Sequence, residues 1–235
     1  MRANSENEMS TSMEFDRFAD DYAHILDRTV SASGEDSSYF AEYKALYLQR
    51  LLGPSFCGKV LDFGCGVGLL SRYLRKHLPS ARIDGFDVSQ DSIAKVDPAL
   101  STQGLFTSAL NDLAQDYALI VVANVMHHIP PEQRSGVIQD LADRLDRGGL
   151  LSIFEHNAAN PLTRWVVRRC PFDEDAILLS PRETAGHLAA AGLRLKRRDY
   201  IVFMPAFLAW LRPLESWLRW LPLGAQYVTL AVKHV

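Results

Sequence analysis

Two hydrophobic periods divide the chain. Over 14–26, Phe15, Phe18, Ala19, Tyr22 and Ile25 recur at the spacing of one helix face. The turn-forming run Ser31-Ala32-Ser33-Gly34 interrupts that pattern. A second helical stretch, 39–52, stops at Gly53-Pro54. From residue 58 short apolar runs alternate with helical ones. Lys59-Val60-Leu61-Asp62-Phe63 predicts a buried strand running into glycines, 69–78 a helix with Pro79 beyond it, and 81–87 a second strand. Ser89 is placed to cap the short helix that follows. A weaker strand is expected over 104–108. The unbroken apolar run 117–123 is of the kind buried on both faces of a parallel sheet. A helix over 131–145 with proline near its start, the pair Gly148-Gly149 and a strand over 150–154 complete this part. Residues 155–179 read as irregular. Ser180-Pro181-Arg182-Glu183 then has capping-box spacing with proline at the first helical position. Gly192 ends that helix, and late strands are expected over 193–203 and 226–235.

Strand and helix thus alternate through five or six rounds. That predicts an α/β fold: a doubly wound, mostly parallel sheet with helices on both faces. Such sheets bind ligands at the carboxyl ends of their strands, at the switch point.

Composition narrows the picture by exclusion. The 235 residues are 48% hydrophobic and 23% charged, an ordinary globular balance. Lys+Arg 25 against Asp+Glu 28 leaves a net charge of −3, which gives no overall attraction for nucleic acid or an anionic membrane. Cys57, Cys65 and Cys170 form neither a disulfide framework nor a metal knuckle, and no metal site is assigned. Residues 1–12 are polar, without the apolar core of a secretory signal, and no apolar run is long enough to span a bilayer. A cytoplasmic location is the expectation.

The most pointed chemistry lies in Asp62-Phe63-Gly64-Cys65-Gly66-Val67-Gly68, which follows a strand and opens a helix. Glycines there permit a tight turn and close backbone approach to a ligand. Asp87, at the end of the next strand, can accept hydrogen bonds from both ribose hydroxyls of a nucleoside. In this loop, in Gly85-Phe86-Asp87-Val88-Ser89, in Ala123-Asn124-Val125-Met126-His127-His128-Ile129 and in Gly148-Gly149-Leu150, the chain resembles the Rossmann-like class I S-adenosylmethionine-dependent methyltransferases of small molecules. The resemblance covers about 56–155 firmly and the C-terminal strands loosely.

It implies a seven-stranded sheet with the last strand antiparallel and inserted between the fifth and sixth. S-adenosylmethionine is the implied cofactor. Gly64, Gly66 and Gly68 would cradle its methionine and ribose portion, and Asp62 would shape the loop or meet its amino group. Asp87 would take the ribose, Val88 would pack on adenine and Asn124 would lie beside the transferable methyl or its carrier. Where the family offers an acid to adenine, this chain has Thr107-Ser108-Ala109-Leu110. Backbone contacts at Ala109 and Leu110, or the side chains of Asn111 or Asp112, are the substitutes. Tyr22 lies in a segment similar to one that folds over the cofactor in related enzymes. Tyr39, Tyr43 and Lys44 close the same lid, or else pack in the core with a solvated lysine.

A sulfonium methyl is already activated, so the protein must mainly align a nucleophile and exclude water. A base is needed only if the acceptor loses a proton, and His156, then His127 and His128, are the candidates. Capping or backbone satisfaction is the alternative role for each. Arg164, Arg168 and Arg169 either hold an anionic substrate group or pair with Asp173, Glu174 and Asp175. Phe207, Trp210, Leu211, Leu214, Trp217, Leu218 and Leu221 form a helical stripe with Pro213 inside it. Packing on the sheet ranks first for that stripe, ahead of a pocket wall, a dimer face or a membrane-surface helix.

The expected organisation is a tail (1–13) and one methyltransferase domain (14–235), with a helical lid (14–53) and insertions at 156–180 and 204–224. The expected reaction is methyl transfer to a small, aromatic or lipid-like organic acceptor. A nicotinamide-dependent dehydrogenase and a non-catalytic cofactor-binding partner subunit are the alternatives. Nucleic acid is not expected as a partner, because Asn124-Val125-Met126-His127 lacks the Pro-Pro-aromatic pattern of DNA amino-methylating enzymes.

Overall fold

The computed structural model describes residues 34–53, 55–170, 173 and 176–234; Tyr22 and the helix expected over 14–26 lie outside them. In chain order the elements are α1 (Ser37–Leu52), β1 (Gly58–Phe63), α2 (Leu69–His77), β2 (Ala81–Phe86), α3 (Gln90–Ala94), α4 (Pro98–Ser101), β3 (Phe106–Thr107) and β4 (Tyr117–Ala123). They continue as α5 (Pro131–Arg144), β5 (Leu145–His156), α6 (Pro161–Val167), α7 (Pro181–Ala190), β6 (Leu193–Ile201), α8 (Glu215–Leu218) and β7 (Gln226–Lys233). Three-residue 3₁₀ turns lie at Leu110–Asp112 and Met126–His128, and a longer one at Ala206–Leu214.

The seven strands form one sheet in the order β3-β2-β1-β4-β5-β7-β6. Strands β1 to β5 pair in parallel, whereas β7 is antiparallel to both β5 and β6. This is the arrangement the family resemblance implied. The chain winds outward from β1 through β2 to β3 and then crosses back to β4. The switch point therefore lies between β1 and β4.

Strand β4 shows how the pattern builds the layers. Leu119 and Val121 enter a core with Ala45 and Leu48 of α1 and Leu70 and Leu74 of α2. Ile120 and Val122 enter the opposite core with Ile138 and Leu141 of α5 and Leu188 of α7. A strand covered on both faces needs apolar residues at every position, hence the unbroken run. Buried Arg134 fastens the second layer, donating to the carbonyls of Ile129 and Ile177 and to Glu183. Ser180 and Glu183 complete the expected capping box of α7.

Two stretches depart from the sequence pattern. Within the segment read as irregular, Asn160 caps α6 by accepting from the N–H groups of Leu162 and Thr163, with Pro161 at the first position. Seven residues are too few for a periodic signal, though the cap and the proline were visible. The continuous apolar stripe does not form a helix packed on the sheet. A 3₁₀ turn and the single turn of α8 replace it, and Phe207, Trp210 and Trp217 are 77%, 75% and 78% exposed. The buried residue is instead Glu215, which accepts from the N–H groups of Phe203 and Met204 and from the Tyr43 hydroxyl. Pro213 removes a helix donor, and three residues per turn shift the phase of everything after it. The core reading of the stripe is thereby corrected. No helix among the described residues is long and apolar enough to cross a membrane.

Candidate active site

The carboxyl ends of β1, β2, β4 and β5 meet at the switch point. The glycine loop leaves β1 with Gly64, Gly66 and Gly68 all at positive φ, a conformation glycine adopts without steric cost. A Cβ on Gly64 would come within 2.3 Å of Val125 Cγ2, so the loops after β1 and β4 touch there. The N–H groups of Gly64 and Cys65 donate to the carbonyl of Phe86, which seats the loop on the end of β2.

Asp87 ties the same loop to the next helix. One oxygen accepts from Gly66 N–H at 2.8 Å and the other from Ser89 N–H at 2.9 Å. Beside it, Val88 is an exposed apolar side chain. Asp62 is buried and accepts from the Ser71 hydroxyl at 2.6 Å, joining β1 to α2 under the loop. Burial pushes its carboxyl up to about 7, with the Asp87 charge adding to the shift and Ser71 and Lys44 opposing it. Lys44 is itself buried rather than solvated at a lid, and desolvation lowers it to about 8 against the pull of Glu155 and Asp62. Tyr43 turns to Glu215, and the Tyr39 ring lies under Arg212.

Asn124 holds a left-handed backbone at φ 58, and its N–H donates to the carbonyl of Phe154. Its Oδ1 is buried and has no hydrogen-bond partner among the described residues. A buried acceptor without a partner at the end of β4 fits a donor supplied by a ligand. After β3, the Ala109 N–H is engaged by the Thr107 hydroxyl, which in turn donates to Asp112. Leu110 remains an exposed apolar surface.

The three histidines come together at the ends of β4 and β5. The rings of His127 and His128 lie 4.1 Å apart between centroids, and those of His127 and His156 lie 5.2 Å apart. Glu155, which the sequence did not single out, is their hub. Its Oε1 accepts from the N–H groups of Val125 and Met126, and its Oε2 lies 2.6 Å from His127 Nδ1. Burial works against charge on His127, but Glu155 and Asp173 outweigh it and raise the ring to about 9. Burial and the neighbouring His127 charge lower both His128 and His156 to about 4. His127 is therefore locked between two carboxylates, while His128 and His156 are neutral at pH 7.

Asp173 turns inward to His127 and His128 rather than to the arginines near it in sequence. Arg164, Arg168 and Arg169 line an open depression on the surface of α6, with Arg169 stacked 4.0 Å over Trp165.

Comparison with known proteins agrees with this geometry. A methyltransferase domain family model matches residues 61–151. Trans-aconitate 2-methyltransferase of Mycobacterium ulcerans is 27% identical over 188 residues, covering 72% of this chain and 67% of that protein. Ribosomal RNA small subunit methyltransferase C of Vibrio vulnificus is 36% identical over 73 residues, covering 29% of this chain. The chain thus spans only 22% of that relative's length. Among solved structures, magnesium protoporphyrin IX methyltransferase of Synechocystis PCC 6803 with bound S-adenosylmethionine superimposes with a TM-score of 0.65 at 18% identity, covering 96% of each chain. Residues 61–151 thus match a methyltransferase domain, and the seven-stranded sheet has the fold of the class I S-adenosylmethionine-dependent methyltransferases.

Proposed function

We propose that the protein transfers a methyl group from S-adenosylmethionine to a small organic acceptor. The observation that carries this reading is the lacing of Asp87 to the glycine loop at the switch point, together with the unpartnered Asn124 oxygen after β4. Gly64, Gly66 and Gly68 bring backbone close to the cofactor, Asp87 accepts from its ribose and Val88 offers adenine an apolar face. The cofactor supplies a sulfonium methyl that needs no further activation. What the chain must add is alignment and dryness. Asn124 and the neutral His156 border the place where an acceptor would lie. His156, lowered to about 4, is a weak base at pH 7, so its role is to hold the acceptor by a hydrogen bond.

A dehydrogenase reading fits less well, because the dinucleotide fold carries six parallel strands, whereas β7 here is antiparallel between β5 and β6. The match to the ribosomal RNA enzyme is confined to a short part of the domain and does not favour an RNA acceptor. The trans-aconitate relative matches at greater length and supports a small molecule. An aromatic or lipid-like acceptor fits the exposed Trp210 and Trp217, and a cytoplasmic location fits such chemistry.

Calorimetric titration of the full chain with S-adenosylmethionine, S-adenosylhomocysteine and NAD tests the cofactor. Micromolar binding of the first two without the third is expected, and tight binding of NAD alone would refute the reading. Release of S-adenosylhomocysteine, followed across panels of small carboxylic acids, phenols and lipids, then identifies the acceptor.

A further inference from the structure

From the geometry at the end of β4, we infer that His127, His128 and Asp173 bind a divalent transition-metal ion of the zinc type. The reading of the cysteines found no metal site, because these ligands are imidazoles and a carboxylate 46 positions apart in sequence. His127 Nε2 lies 3.2 Å from Asp173 Oδ1, and His128 Nε2 lies 3.5 Å from the same oxygen. Zinc bonds of about 2.0–2.1 Å meeting at tetrahedral angles hold adjacent ligand atoms about 3.3–3.4 Å apart. The two observed edges bracket that value. Ligand atoms of the three residues all fall within 4.8 Å of one another, which bounds the third edge.

The surroundings are those of a metal-bound histidine. His127 presents its other nitrogen, Nδ1, to Glu155 at 2.6 Å, and Glu155 is itself pinned by two backbone N–H groups. When a metal ion displaces the Nε2 proton, that bond keeps hydrogen on Nδ1 and directs the Nε2 lone pair at the ion beside Asp173. A carboxylate behind a ligating histidine orients the ring and strengthens its donation. In the metal-free protein the proton of a charged His127 bridges Nε2 and Asp173 Oδ1, and a metal ion would replace it. A proton bridges only two atoms, whereas a third nitrogen, His128 Nε2, lies 3.5 Å from the same oxygen. Three convergent donors are what a metal ion requires. Two imidazoles and a carboxylate suit zinc better than magnesium or calcium, which prefer oxygen ligands.

The ion would staple the segment carrying Asp173 to the end of the sheet. The hydrogen bond from Ile177 N–H to the His127 carbonyl already draws that segment inward. Three protein ligands leave a fourth coordination position, as in zinc sites that bind a substrate rather than merely brace a fold. Asn124 and His127 both follow β4 directly, and the open position is assigned to the acceptor on that ground alone. An oxygen, nitrogen or sulfur atom of the acceptor is the ligand that fits it. The metal site stands on its own geometry; only this last role rests on the methyltransferase reading.

The test uses the full chain without an affinity tag, stripped with EDTA and titrated with Zn²⁺ against a chromophoric chelator. One equivalent should bind with Kd at or below about 1 μM. Co²⁺ in its place should give the visible absorption of a tetrahedral N/O site. Asp173→Asn and His128→Asn should each weaken binding by about 100-fold or more, and Glu155→Gln by about 10–100-fold through the orientation of His127. Circular dichroism establishes that each variant is folded. Should one of them fail to fold, the Co²⁺ spectrum and stoichiometry of the parent still decide. No uptake by the parent at 10-fold excess Zn²⁺ would overturn the inference and leave a protonated His127 as the bridge, as would equal affinity in parent and folded variants. Titrating the EDTA-stripped protein with S-adenosylhomocysteine separates the two claims: binding without zinc uptake sinks only the metal site.

Discussion

Replacing Asp87 with alanine bears on the whole cofactor cleft. Its two oxygens hold the N–H groups of Gly66 and Ser89 at 2.8 and 2.9 Å. A carboxylate has about four acceptor positions, so each oxygen can take a ribose hydroxyl as well as a backbone donor. Hydrogen bonds to a charged group contribute about 1.5–3 kcal/mol each, so losing two costs about 3–6 kcal/mol of binding. At 1.4 kcal/mol per factor of ten, even the lower end means a Kd for S-adenosylhomocysteine roughly 100-fold weaker. Calorimetric titration reads that change. Asp87→Asn keeps one acceptor without the charge and should fall between parent and alanine variant. The released N–H groups belong to Gly66 and Ser89, both buried, so the melting temperature should fall as well, and circular dichroism at the titration temperature separates weak binding from unfolding. A folded Asp87→Ala protein whose Kd stays within about threefold, under ~0.7 kcal/mol, refutes the assignment of Asp87 to the ribose.

Gly64→Ala should lower stability by about 1–3 kcal/mol, because its Cβ meets Val125 at 2.3 Å and its φ of 78° disfavours any side chain; denaturant unfolding measures it, and an unchanged midpoint contradicts the packing of the two loops. Asp62 titrates near 7 in the folded protein against about 4 when unfolded, so its contribution to stability declines as pH rises through that window. The melting temperature of Asp62→Asn relative to the parent should therefore climb between pH 5 and 7.5, and a constant difference would show that Asp62 is ionised throughout. Trp217→Ala removes a side chain that is 78% exposed and should change stability by no more than about 0.5 kcal/mol; a loss of several kcal/mol would return the stripe to the core.

How far the sequence carried the reading depended on how local each determinant is. Strand β4 coincides with the apolar run that announced it, because burial on both faces leaves its mark at every position. The capping box of α7 and the glycine loop were equally legible, since each is a bargain among residues a few positions apart. The 206–218 segment misled for the opposite reason. Its apolar residues fall at helical intervals, but a proline and a 3₁₀ turn break the phase. The deciding partner, Glu215, is held by Phe203, Met204 and Tyr43, the last of them 172 residues away.

By itself the sequence determined the alternation of strands and helices, the glycine loop, the acid that ends β2 and hence the class of fold. All of these follow from periodicity and from backbone conformations that only certain residues adopt. Tertiary structure alone decided which side chains meet at the end of β4. Glu155 comes from β5 and Asp173 from the segment after α6, and both reach His127, while Lys44 of α1 interacts with Glu155 and Asp62. The parallel strands β4 and β5 bring His127 and Glu155 together because their carboxyl ends lie at one edge of the sheet. Charges gathered from distant parts of the chain leave no spacing rule in the sequence, and burial then sets their ionisation.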